Sequence, residues 1–390
     1  MTSVTETALD NTSSPFPIIR CSVPDVSDED RAAVDRVLRS GWIGAGPVVR
    51  ELELELRRHV RSGEVVTFSS ATAALAATLH VRGVGTGSKV VVGALGFAAV
   101  INAIRILGAH PVVVDVTPDG DSLDLDQVEA ALRRGAAAVV PLAWRGEPSN
   151  TSALARLCDV AGATLVEDGA YALGSVRDDA TTPGPRCPVV VSFHPTKIIT
   201  GGLGGAVLGV SAVEAAQLRS FRNQGLTTPA WSRRDRTTTY AFQDVGFALE
   251  MSDVHAAIAL SQLRRLDQIV LLRRAIFLSL TQHIGQGIAV CPSSGRTAHG
   301  WSNASMFAVR LQPECDRDTV SDRLLAVGIG SAVHYPFLAD QPAVRPLVAG
   351  KQFPNAQALS AGTLTLPSHP SLTMIEIARI ADALTQAVDG

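Results

Sequence analysis

Lysine is scarce in this 390-residue chain: Lys89, Lys197 and Lys351 stand against thirty-one arginines. Chemistry that needs a side-chain amine therefore has few candidates. Aromatic residues make up 5% and charged residues 18%. Neither sign of charge dominates, since 34 basic and 37 acidic residues leave a net charge of −3. No basic surplus points to nucleic acid or to an anionic membrane. The five cysteines, Cys21, Cys158, Cys187, Cys291 and Cys315, are scattered, odd in number and form no C-x-x-C pair. That spacing indicates neither a disulfide framework nor a zinc site, and no metal is expected. Apolar runs such as Val90–Val92 and Ala136–Val140 fall far short of the roughly 20 residues that a membrane span needs. The first residues, MTSVTETALDNTSSPFP, are polar and lack an apolar signal core, so a soluble cytoplasmic protein is expected.

What is present is apolar bulk, 46% of the chain, enough for two or three cores. Residues 1–16, rich in Thr and Ser, read as a flexible arm. From Glu64 the pattern alternates. Strands are expected at Glu64–Ser69, Lys89–Val92, Pro111–Asp115, Ala136–Leu142 and Thr164–Asp168, and then at Val189–Phe193 and Gly204–Leu208. Helices are expected between them at Thr72–Val81, Ala98–Leu107, Leu125–Arg134 and Thr151–Ala161. The strands are continuous apolar runs, as strands buried on both faces are. The alternation predicts an α/β fold with a mostly parallel sheet covered by helices. Helical spacing runs from Ser252 to about Gln282, leading out of a large domain spanning 17–270. The remainder, 271–390, mixes strands (Ser305–Leu311, Gly330–His334) with helices (Thr319–Val327, Met374–Ala387), as a smaller α+β C-terminal domain does.

Ligands of parallel α/β sheets sit outside the carboxyl ends of the strands. Four places there carry chemistry. Ser69-Ser70-Ala71-Thr72-Ala73 joins a strand to a helix with small residues, a junction suited to a phosphate, or simply to a helix cap by Ser70 or Thr72. Asp168 closes a strand with a carboxylate able to hold a protonated ring nitrogen, or is simply a solvated loop acid. Lys197 follows a buried strand in Ser192-Phe193-His194-Pro195-Thr196-Lys197, flanked by Ile198 and Ile199. A lysine so placed can have a lowered pKa and attack a carbonyl to form a Schiff base, or be a surface lysine with its stem packed. His194 is either an acid–base group or a support for that turn. Phe97 offers a flat cover for an aromatic ring, or is an ordinary core residue. Together, an anion cradle, a ring cover, a carboxylate and a lysine are the parts needed to hold pyridoxal 5′-phosphate.

These stretches resemble the DegT/DnrJ/EryC1/StrS aminotransferases, which act mainly on nucleotide-linked keto sugars. The matching segments are WIGAGP (Trp42–Pro47), SATAAL (Ser70–Leu75), GAHPVVVD (Gly108–Asp115), VEDGAYALG (Val166–Gly174) and SFHPTK (Ser192–Lys197). GFALEMSDVHAAIALSQL (Gly246–Leu263), VHYP (Val333–Pro336) and LPSHP (Leu366–Pro370) complete the set. The resemblance implies a fold type I enzyme, like aspartate aminotransferase, working as a homodimer with shared active sites. It implies pyridoxal phosphate bound as a Schiff base on Lys197, with Asp168 on the pyridine nitrogen and Phe97 stacked on the ring. Ala71, Thr72 and Ser192 would hold the phosphate, and Tyr171 would lie near the cofactor's ring oxygen. An amino-acid donor, glutamate or glutamine, would supply nitrogen to a keto substrate in secondary metabolism.

The chain departs from the family's pattern at Tyr171 (usually Gln), Gly96 (Thr), Leu203 (Glu), Ala248 (Asn) and Glu250 (Arg). Arg219 and Arg222, or Arg233, Arg234 and Arg236, are candidates for replacement charge. Two further readings keep the fold. One is a lyase, dehydratase or carbon–carbon bond-forming enzyme; the other is a non-catalytic binding or regulatory protein.

Overall fold

The computed structural model describes residues 17–178, 183–233, 240–284, 288–290 and 296–389. The expected arm, 1–16, and Cys291 lie outside the described residues. One four-stranded parallel sheet has the order His110–Val114, Lys89–Gly93, Ala138–Val140, Thr164–Leu165. A second has the order Glu64–Phe68, Gly205–Val210, Val189–Ser192, Glu167–Asp168. The two meet at Val166, whose N–H still donates to the Val139 carbonyl at 3.1 Å, and Leu142 bridges to Asp168 in parallel. Thr164–Asp168 thus runs as one interrupted strand through a continuous sheet. Only Gly205–Val210 runs antiparallel to its neighbours there. The chain has the fold type I, mostly parallel architecture that the sequence predicts.

Successive residues of these strands face opposite cores, as the two-residue period of a strand requires. Val66, Val190 and Val207 join one cluster with Leu75, Leu79 and Ile104. Val65, Val189, Val191 and Leu208 join a second with Leu52, Leu56 and Leu260. Both faces are therefore covered, which leaves the carboxyl ends of the strands as the open place for a ligand.

A third cluster gathers Ile276, Phe277, Phe307, Leu324, Leu364, Ile380 and Leu384. Its antiparallel sheet pairs Phe307–Arg310 with Ala289–Val290 and Thr363–Leu366. Leu338, Val344, Phe353 and Leu359 pack instead on the first cluster, so that the segment after His334 is drawn over the large sheet.

Two expected elements differ. The helical stretch from Ser252 to Gln282 is two helices, Asp253–Leu263 and Leu266–His283. Arg265 leaves helical geometry between them (φ −112°), and its guanidinium reaches Asp25 at 2.7 Å and Asp30 at 2.9 Å. Gly330–His334 makes only a single bridge, Ala332 to Thr365. The His334 carbonyl instead accepts the Trp144 indole N–H at 2.9 Å.

Helices Asp28–Ser40, Pro47–Arg57 and Ala212–Arg222 add to the elements expected from sequence. Glu53, nearly buried, ties the last two to the Glu64–Phe68 strand. It accepts the N–H and hydroxyl of Thr67 at 3.0 Å each and Arg222 at 2.6 Å. Burial alone would raise its pKa, but Arg222, Arg219 and the Thr67 N–H hold it below the ordinary carboxylate value. Glu53→Ala would strand the buried Arg222. It is expected to cost about 3–5 kcal/mol, read as a lower denaturant midpoint at unchanged slope.

Candidate active site

The Glu64–Phe68 strand ends at Ser69-Ser70, and the helix Ala71–Val81 begins at once. Ser70 is the cap: its Oγ accepts the Ala73 N–H at 3.1 Å and its carbonyl the Ala74 N–H at 3.0 Å. Thr72 does not cap, and its side chain is left for the cavity that Ala71 and Thr72 line. The first N–H groups of a helix cannot bond within it, and the helix dipole makes that end positive. Gly205 passes directly beneath. A Cβ there would lie 2.4 Å from the Ala71 nitrogen, so the close approach requires glycine.

Asp168 ends the interrupted strand on the same side and is 7% exposed. Its Oδ1 accepts the Ala170 N–H at 3.0 Å. Burial raises its pKa and neighbouring Glu167 pushes the same way; the Ala170 N–H and Lys197 oppose them. Glu167 is fully buried and bonded by Arg177 and by the Ser149 hydroxyl, so its charge is met from behind.

Lys197 leaves the turn after Val189–Ser192, where its N–H donates to the His194 carbonyl at 2.9 Å. Ile198 and Ile199 anchor that turn in the second core. Burial brings the Lys197 pKa down to about 7 from an ordinary 10.5, and Asp168 resists the fall. Its Nζ sits 3.2 Å from the centre of the Tyr171 ring. Ser192 is nearly buried and accepts the His194 N–H at 3.3 Å. Phe97 begins the helix Ala98–Ile106 and is 60% exposed, its ring 6.1 Å from that of Tyr335.

All seven residues singled out from sequence, Ala71, Thr72, Phe97, Asp168, Tyr171, Ser192 and Lys197, line one cavity of about 540 Å³. That size suits a small-molecule ligand. A larger hollow of about 710 Å³, beside Trp42 and Arg264, contains no lysine. Chemistry rather than volume picks out the site. Lys89 and Lys351 border a different crevice, and the Lys89 ammonium donates to the Arg134 carbonyl at 3.3 Å.

His334 and Tyr335 have no role assignable from local sequence, although VHYP marks the place. The fold lays both on the cavity wall. Burial, helped by Lys197, pushes the His334 pKa down to about 4, so its imidazole is neutral at pH 7. Its Nδ1 pairs with the Thr365 hydroxyl at 3.0 Å. His194 also borders the cavity, with Nδ1 3.0 Å from the Thr196 hydroxyl.

Arg219 and Arg222 do not reach this cavity. Both engage Glu53 and, with Glu250, line a separate hollow. The Arg233 side chain, Arg234 and Arg236 lie outside the described residues. Leu203 is on the cavity wall and 56% exposed.

The model of the DegT/DnrJ/EryC1/StrS aminotransferase family matches residues 24–385. Solved structures agree in fold. An aminotransferase of Streptococcus pneumoniae, assigned as a sugar aminotransferase and solved in its PMP form, is 26% identical. The match covers 95% of this chain and 99% of that one at a TM-score of 0.87; its PLP form has also been solved. The aminotransferase TlmJ from Streptoalloteichus hindustanus is 29% identical, over 95% and 99% of the two chains, at 0.87. DesI, solved in the presence of its TDP-sugar product, is 27% identical, over 97% and 94%, at 0.84.

Proposed function

Because the chain belongs to the DegT/DnrJ/EryC1/StrS aminotransferase family and is a pyridoxal phosphate-dependent enzyme, we propose that it aminates a nucleotide-linked keto sugar with nitrogen from an amino acid. The observation that carries this reading is the convergence of Lys197, Asp168 and the Ala71–Thr72 helix start on one cavity. The TDP-sugar product of the similar DesI supports the substrate class.

The residues fit the cofactor. The glycine-backed start of helix Ala71–Val81, with Thr72 and Ser192, would take its phosphate. Asp168 would hold its ring nitrogen protonated, Phe97 would cover one face of the ring, and Tyr171 would lie by its ring oxygen. Bound there, pyridoxal phosphate supplies an aldehyde that exchanges amines and a ring that draws electrons from the bond to be broken.

Lys197 would have two tasks. Its neutral amine would hold the cofactor, and the same amine would take a proton from the donor carbon and later return one. Burial makes the neutral amine available near pH 7. Asp168, buried on the same cavity, would present its carboxylate to the ring nitrogen away from bulk water. Phe97 and Leu203, apolar and largely exposed at the cavity, support a reading in which a second copy of the chain covers the mouth in a homodimer.

We also take residues 17–270 as the cofactor-binding domain, with 271–390 as the smaller one, and the setting as cytoplasmic secondary metabolism. Among the described residues no helix is long and apolar enough to cross a membrane.

Incubation with ¹⁵N-glutamate or ¹⁵N-glutamine and a panel of nucleotide-linked keto sugars tests the assignment. Label is expected in an amino sugar. Label passing to none of them, with the cofactor bound, would overturn the substrate class.

A further inference from the structure

At position 171 this chain places a tyrosine where the family pattern has a shorter polar side chain. The Tyr171 ring, 5% exposed, presents its face to Lys197, whose Nζ lies 3.2 Å from the ring centre. The Tyr171 main chain is held in place, and its ring has an aromatic neighbour. The Tyr171 carbonyl accepts the Asn303 side-chain amide at 2.6 Å and the Ser305 hydroxyl at 3.0 Å. The Tyr171 ring packs edge-to-face with the His334 imidazole, centroids 6.0 Å apart at 79°.

We propose that the Tyr171 ring is the seat of the Lys197 amine whenever that amine is free of the cofactor. The proposal rests on the reading of Lys197 as the cofactor's amine. The face of an aromatic ring carries negative potential and attracts an ammonium. A glutamine side chain offers no such face. Seated there, Lys197 keeps a proton at a defined place between taking it from one carbon and delivering it to another. Asp168, His194, His334 and Tyr335 are further ionisable groups on this cavity, and burial keeps the Tyr335 hydroxyl protonated. Asp168 attracts the ammonium, while burial and the lysine's own charge favour neutral forms of both histidines. Tyr171 acts through Lys197 and is therefore a positioning residue.

The test compares Tyr171→Phe, Tyr171→Leu and Tyr171→Gln with the unaltered full chain, each charged with pyridoxamine phosphate. Cyanate modification of Lys197 is followed against pH by peptide mass spectrometry. Loss of the ring is expected to lower the midpoint of that profile by about 0.5–1.5 pH units in the Leu and Gln variants. The Phe variant, which keeps the ring, should stay within about 0.3 units of the parent. Using the midpoint separates charge stabilisation from easier access, which changes the rate at every pH. Two ring-less variants guard against one that misfolds. An unmoved midpoint in both, or a Phe shift as large as theirs, would overturn the seat. Borohydride reduction of the pyridoxal form of the parent separates the two claims. Cofactor fixed on Lys197 with an unmoved midpoint rejects the seat alone, whereas no fixation on Lys197 rejects the underlying reading with it.

Discussion

Lys197→Ala is expected to lower kcat by about 10²–10⁴-fold, the range that a positioned proton-transfer group contributes. The expectation follows from location. Of the three lysines, only Lys197 lines the cavity that holds Asp168 and the helix start; the other two border a crevice elsewhere. Lys197→Arg should fail as well, because a guanidinium does not release its proton at working pH and cannot form the covalent link. In the parent enzyme the rate should rise with pH through about 7. Burial lowers the lysine's pKa to that value, and only the neutral amine can accept a proton. Steady-state rates across pH 5–9 check both points. A variant lacking Lys197 that retains the parent's kcat would remove the basis of the mechanism.

Asp168→Asn is expected to lower kcat by about 10²–10³-fold, as removal of a preorganised electrostatic group in a buried site commonly does. Asparagine keeps the shape and can still accept the Ala170 N–H through its carbonyl oxygen. The fold should therefore survive, since the change removes a carboxylate whose charge burial disfavours. A second effect has a fixed sign. Asp168 is the attraction that resists the fall of the Lys197 pKa. Without that charge the lysine should lose its proton at still lower pH, moving the acid limb of the rate profile down. A lower kcat with an unmoved limb would show that the two side chains are not coupled.

The large sheet was legible because its strands are short runs such as Val90–Val92, apolar on both faces, with helices between them. The site was legible because its residues follow strands directly: Ala71, Asp168 and Lys197 each stand at or just past a carboxyl end. His334 and Tyr335 were harder to place. They come from a segment some 140 residues after Lys197, carried onto the cavity by the packing of Leu338–Leu359 on the first core. No local pattern encodes that docking. The break at Arg265 was hidden because apolar spacing continues through it; the cause is tertiary, two aspartates near the start of the chain that draw the arginine out. Helix Asp28–Ser40 did carry a local signal, the Ser27–Asp30 capping box. The Glu53 network did not. Its partners lie 14 to 169 residues away, and Arg219 and Arg222, candidates for cofactor charge, are used to neutralise it.

The proposed chemistry depends on one bond, and reducing the cofactor-loaded enzyme with borohydride before digestion tests it directly. The phosphopyridoxyl mass should appear on the peptide that contains Lys197 and on neither the Lys89 nor the Lys351 peptide. Its appearance on either of those two, or on no lysine while the protein still carries the cofactor, would contradict the account.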